Sequence, residues 1–368
     1  MEYTADFLSS YGLFLAKTLT VLVSIAIIMI LAFALGQKGH KPQKGHIEVT
    51  NLNDLYDDMS HTLKASVVSP EQEKLDAKAA KKKAKAEKAE RKKQMKSQKA
   101  KASESDSTAE TADDTARKRV YVVNFDGDVK ASATDNLREE ITAILSLARE
   151  KDEVVMRLES GGGMVHSYGL AASQLQRITE KSIPLTVCVD KVAASGGYMM
   201  ACVADKIIAA PFAIVGSIGV VGQLPNFNRL LKKNDIDFEM HTAGEYKRTL
   251  TVFAENTDKA REKFGQELEE THGLFKEYIR DNRPELDVEA VATGETWYGK
   301  RALDNKLIDL VQTSDAYLTG QVKDADIVEV QYLVKKSLQE KIGFAAQHAM
   351  DRLLLTWWER ANQSRFFS

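Results

Sequence analysis

The chain has 368 residues, 43% of them hydrophobic, and a formal net charge of −2. That is enough for one sizeable soluble core with accessory segments. Only two cysteines are present, Cys188 and Cys202, both in apolar stretches; they read as buried thiols and exclude a disulfide-stapled scaffold.

In chain order, the first expected element is a membrane anchor over residues 1–37. Thr18 to Leu35 carries no charge, and Tyr11 to Ala16 extends the apolar run apart from Lys17. At about 1.5 Å per residue, a helix starting near Tyr11 crosses a ~30 Å hydrocarbon core. Ala32-Phe33-Ala34 resembles a cleavage site, but the leading region holds Glu2 and Asp6 where a signal peptide carries basic residues, so a retained anchor is the expectation. Lys38, Lys41 and Lys44 follow the run, which by the positive-inside rule places the body in the cytoplasm.

A juxtamembrane segment, 38–69, leads into a charged linker, 70–118. Residues 74–101 hold 13 Lys/Arg and 3 Asp/Glu, a net +10 that leaves −12 for the rest. The run could meet anionic lipid, but it has no apolar stripe to dock, and no aromatic residue lies between Met59 and Lys118 for nucleic-acid stacking. A solvated, disordered or partly helical linker with no nucleic-acid role is expected.

A folded domain is expected over 119–335. Arg119 to Phe125 reads as a buried strand, Thr134 to Glu150 as a helix, Glu153 to Leu158 as a strand, His166 to Thr179 as a helix and Ile183 to Val189 as a strand. Short apolar strands alternating with helices indicate parallel βαβ units. Lys206–Ala210, Ser217–Val221 and Phe238–Thr242 are further strand candidates, and Asp258 to Arg280 is a long amphipathic helix. Ile183 to Ala204 is apolar, but Pro184, Asp190, Lys191 and Gly196-Gly197 favour a strand, turn and helix over a second membrane span. A helical segment, 336–368, closes the chain.

Two glycine-rich elements sit at strand ends. In Ser160-Gly161-Gly162-Gly163 the backbone can approach a ligand and its amides can donate to an oxyanion; a plain tight turn is the alternative. In Ala194-Ser195-Gly196-Gly197-Tyr198 a serine stands at a strand-to-helix junction, either as a helix N-cap or as a nucleophile with the Gly196 amide beside it. A nucleophile needs a base. His166 and His241 are available, each more ordinary as a surface residue. Lys247, in Gly244-Glu245-Tyr246-Lys247-Arg248, serves only if desolvation lowers its affinity for a proton. Gly294 to Lys300 matches most of a phosphate-binding loop, but Arg301 replaces the metal-binding hydroxyl and no strong strand precedes it.

Taken together, Ser160-Gly-Gly-Gly163, Ala194-Ser195-Gly-Gly-Tyr198, Gly216-Ser217-Ile-Gly-Val220, Tyr246-Lys247 and the segment from Gly294 to Asp309 resemble the signal peptide peptidase A family of serine peptidases. The resemblance implies an α/β fold of the Clp-protease/crotonase type, a spiral of βαβ units. It implies Ser195 as nucleophile, Lys247 as general base, Ser217 as the hydroxyl that orients the lysine, and Gly196 with Gly162 as the oxyanion hole. Glu159 departs from the family's Asn or Asp. No metal or cofactor is implied. The implied substrates are peptides or unfolded protein segments. The implied assembly is a homo-oligomeric ring in which Ser195 of one chain meets Lys247 of its neighbour. By resemblance the protein sits in the bacterial inner membrane with a periplasmic domain, against the cytoplasmic side that the flanking lysines favour. Competing classes are a crotonase-like acyl-CoA enzyme and a non-catalytic membrane scaffold, with Trp357-Trp358 as a contact surface.

Overall fold

The computed structural model describes residues 11–24, 45–67 and 117–334. The linker, most of the expected anchor and the Trp357-Trp358 region lie outside the described residues. Residues 11–24 are helical, and among the described residues no helix is long and apolar enough to cross a membrane. Residues 47–333 form one unit, distinct from the two termini.

The expected alternation of strand and helix is present. Ten strands, β1 (His46–Asn51), β2 (Lys118–Gly127), β3 (Glu153–Ser160), β4 (Leu185–Val189), β5 (Val192–Ala194), β6 (Lys206–Ala209), β7 (Ile214–Gly216), β8 (Thr296–Tyr298), β9 (Leu310–Val311) and β10 (Ala325–Leu333), share one sheet. Its main path runs β1-β10-β2-β3-β4-β6-β9, parallel from β10 through β9. Parallel strands covered on both faces read as continuous apolar runs. Accordingly Val120, Val122, Val123, Val154, Val155, Met156 and all of β4 are buried. Helices Thr134–Leu145 and Val165–Thr179 lay Leu137, Ile141, Leu175 and Ile178 on one face. At about 1.5–3 kcal/mol per buried large aliphatic side chain, this burial is the main stabilising term.

The sheet forks at the end of β3. β4 pairs with the body of β3, whereas β5 pairs with its last residue, Ser160 opposite Ala193. β5 then carries β7 in parallel, and β7 pairs antiparallel with β8. The fork brings the glycine-rich loop after β3 beside the turn after β5. The apolar stretch 183–204 is a strand, turn and helix as expected, with Cys188 and Cys202 buried and free.

Three expectations change. The segment expected as juxtamembrane folds with the domain: β1 lies beside β10, and Leu52 is buried at the head of helix Leu52–Val67. Asn53 ties this helix down, donating to the carbonyls of Val322 and Ala325 and accepting from the Ile327 amide. The strand expected at Ser217–Val221 is not formed: β7 precedes it and ends at Gly216, where Ser217 with a φ of 52° breaks the extended backbone. The strand expected at Phe238–Thr242 is an exposed loop with no sheet neighbour.

Candidate active site

Ser195 is the single residue between β5 and helix Gly196–Ala201. Its φ of 53° and ψ of −118° lie outside the regions L-residues ordinarily occupy, a strain worth about 1–3 kcal/mol. Its amide donates to the Gly216 carbonyl at 2.8 Å, and its carbonyl accepts from Met199 at 3.0 Å. Its hydroxyl makes no capping hydrogen bond. A cap reaches the second or third amide of a helix from an extended backbone, which this is not. Ser195 instead stands at a sharp strand-to-helix turn, its hydroxyl without a hydrogen-bond partner among the described residues, a geometry like that of a nucleophile elbow.

The glycine-rich loop lies against this turn. A Cβ on Gly162 would stand 2.7 Å from the Ala194 carbonyl oxygen, the Gly196 nitrogen and the Ser195 Cβ, and its φ is +87°. Only glycine fits there, so Ser195, Gly196 and Gly162 are in one place. The Gly162 amide, however, already donates to Ser160 Oγ at 3.0 Å. Its neighbour Gly163, not Gly162, borders the cavity in front of Ser195. That cavity of about 360 Å³ is shared by Ser195, Ser217, Gly163, Val165, Val220 and His272. Ser217 is held in its strained conformation by its amide N–H, which donates a hydrogen bond to the Glu295 carbonyl at 2.6 Å.

Lys247 is elsewhere. It borders a second cavity, about 660 Å³, with Leu224, Phe238, Met240 and Phe253, which neither serine reaches. Its side chain is exposed, and its ammonium has no hydrogen-bond or ion-pair partner among the described residues. Its neighbours fasten the turn to helix Asp258–Asn282: Glu245 pairs with Lys259 at 2.6 Å, and the Tyr246 ring lies 5.3 Å from the Lys263 ammonium. The Lys259 ammonium beside it holds the Glu245 carboxyl below its ordinary range. Within one chain the serines are together and the lysine is separate.

The other candidates fall away on geometry. His166 is exposed at the head of its helix, and His241 is exposed beside Glu239 at 3.7 Å. Glu159 is paired with Lys191 at 2.8 Å. The phosphate-loop-like segment contains β8, and Gly299 is pressed against the Ala210 carbonyl, leaving no cradle. The histidine bordering the Ser195 cavity is His272, which no motif singles out; its Nε2 is buried and has no hydrogen-bond partner among the described residues. A lone histidine on an amphipathic helix gives no local signal of its neighbours.

Comparison with known proteins decides the family. Peptidase family S49 N-terminal matches residues 6–175, and Peptidase family S49 matches residues 177–327. The chain belongs to peptidase family S49. The S49 relatives include the probable protease SohB of Haemophilus influenzae, 48% identical over 362 residues, covering 98% of this chain and 99% of that one. The probable protease SohB of Buchnera aphidicola subsp. Schlechtendalia chinensis is 47% identical over 86% of this chain and all of its own. Protease 4 of Haemophilus influenzae is 27% identical, over 52% of this chain and 32% of its own length. S49 membership makes this chain a peptidase and bears out the resemblance read from its motifs.

Proposed function

We propose that this S49 member is a membrane-anchored serine endopeptidase that cleaves peptides or unfolded protein segments by a Ser195–Lys247 dyad completed between neighbouring subunits. The observation carrying the reading is the pairing of a strained, uncapped Ser195 with a Lys247 that borders a different cavity of the same chain. The fold it assigns is the Clp-protease/crotonase type, and the anchor it assigns is residues 1–37 in the bacterial inner membrane.

In this mechanism neutral Lys247 of one subunit takes the Ser195 proton as Oγ attacks a peptide carbonyl. Ser217 orients the lysine amine. The oxyanion is held by the Gly196 amide, an orphan donor at the start of its helix, and by an amide of the Ser160–Gly163 loop. Gly162 is the donor the motif suggests. Gly163 borders the cavity and is better placed while Gly162 remains bonded to Ser160. The ammonium then protonates the leaving amine, and water hydrolyses the acyl-enzyme. An exposed lysine is protonated at neutral pH, so the neighbouring subunit also has to desolvate it.

The test is complementation. Ser195→Ala and Lys247→Ala chains, each inactive, are mixed and reassembled. Recovered peptide hydrolysis in mixed assemblies is expected wherever an intact serine meets an intact lysine. No recovery in verified mixed assemblies, with each parent inactive, rules out the dyad between subunits.

A further inference from the structure

Tyr168 lies in helix Val165–Thr179 with no exposed surface, and its two ends touch the two backbone elements on which oxyanion binding depends. Its ring is against Gly196, so closely that a Cβ there would fall on the ring carbons, and Phe125 packs edge-on behind it at 6.5 Å. Its hydroxyl is 2.6 Å from Ser160 Oγ and 2.7 Å from the Asp128 carbonyl oxygen.

The proton positions in this group follow from valence. A phenol carries one proton, and a carbonyl can only accept, so Tyr168 Oη donates to Asp128. Ser160 Oγ must then donate to Tyr168. That leaves a Ser160 lone pair to accept the Gly162 amide at 3.0 Å. The hydrogen bonds run one way, from Gly162 through Ser160 and Tyr168 to Asp128. The last acceptor is itself fixed: the Asp128 carboxylate takes the Ser132 amide and hydroxyl, both at 2.8 Å, and the Lys130 amide at 3.1 Å. Burial raises the Tyr168 phenol above its ordinary range, so it stays protonated as this order requires.

A phenylalanine would fill the same ring volume, so packing alone does not explain the hydroxyl. We infer that Tyr168 is a positioning residue for oxyanion stabilisation, its hydroxyl setting the Ser160–Gly163 loop through Ser160 while its ring sets Gly196. Oxyanion donors act over a narrow range, about 2.7–3.1 Å, so a small loop displacement weakens the transition state more than it weakens peptide binding.

The inference rests on the peptidase reading, and the experiment separates the two. In the full chain, Tyr168→Phe is expected to lower kcat on a fluorogenic peptide about tenfold to a hundredfold, with KM within about threefold of wild type. Ser160→Ala should give a similar loss, and the double variant no further loss, because both cut one relay. Backbone hydrogen exchange in the peptide spanning 161–163 should quicken at least about tenfold in each variant while β4 is unchanged. If Ser195→Ala keeps full activity, the assignment of Ser195 as nucleophile fails by itself, and the exchange measurement still judges the positioning. Unchanged exchange at 161–163 overturns the inference. So does an unchanged kcat in Tyr168→Phe beside an inactive Ser195→Ala. Should Tyr168→Phe not fold, Ser160→Ala carries the same two measurements.

Discussion

The serine and the lysine stand in regions built to opposite rules. Around Ser195, Ala193, Gly196, Tyr198 and Met200 are buried, β5 pairs with β3 and β7, and the Ser195 amide is bonded to the last residue of β7. Around Lys247, from about residue 221 to 257, the sole helix is the short Asn228–Lys233, with no buried residue. Leu224, Phe227, Phe238, Met240 and Phe253 are all exposed. Phe227 and Phe238 each lie tilted beside Phe253, at 6.2 and 5.7 Å. A serine nucleophile needs fixed geometry, which a sheet supplies. A lysine base needs a dry environment, which one chain does not supply here. The contrast teaches that the two residues of the proposed dyad have separate sources of order.

The sharpest way to break the comparison is to remove each half. Ser195→Ala and Lys247→Ala should each lower turnover on the order of 10⁴-fold or more, and the double variant should be no worse than either, since the pair acts as a unit. Both should melt like wild type. Ser217→Ala should lose less, because in the proposed mechanism that hydroxyl orients the base without reacting. Near-wild-type turnover by either dyad variant, measured on peptide substrate, sinks the assignment.

A second measurement compares a phenylalanine from each region. Phe125, 1% exposed, should cost about 3–5 kcal/mol when changed to Ala. Phe238, 46% exposed, should cost within about 0.5 kcal/mol in the isolated chain and register instead as weaker self-association. Denaturant unfolding with sedimentation reads both, and equal unfolding costs would erase the distinction between the regions.

The smallest expected effect is on pH. Burial alone would raise the Glu153 carboxyl, but Lys118 at 2.6 Å, the Tyr317 hydroxyl and the Thr186 hydroxyl outweigh it and hold it below its ordinary range. Asp152 is likewise pushed up by burial and pulled lower overall by Arg149 and two backbone amides. A carboxyl lowered by folding contributes stability that is complete above the ordinary carboxylate range, about 4, and is lost as pH falls below it. The melting temperature should therefore be flat near neutrality and decline below about pH 4. Glu153→Gln should flatten the decline, whereas variants in the Lys247 region should leave it alone.

What the sequence made legible follows the same division. The central strands announce themselves because both faces are buried, as in Val120–Val123 and Leu185–Val189. The serine turn and the glycine loop were visible as local motifs, but a cap and a plain turn explained them equally well, and only the family resemblance implied that they meet. The lysine region misled: Val221, Phe238 and Met240 have strand-like character, yet lie on an exposed surface without a sheet partner. Helix Leu52–Val67 was missed because its attachment to the domain is only its first turn, through Leu52, Asn53 and Tyr56, rather than an apolar stripe along its length. The Tyr168 relay and His272 join residues distant in sequence, and no local pattern reports such meetings.

The backbone at Ser195 carries one more consequence. Its torsions suit a glycine, so Ser195→Gly should relieve strain and raise the melting point while ending hydrolysis. Selection for thermal robustness alone would therefore drive this position away from serine. A library of variants ranked by stability would place dead proteins near the top, and the proposed nucleophile would look, by that ranking, like a defect awaiting repair.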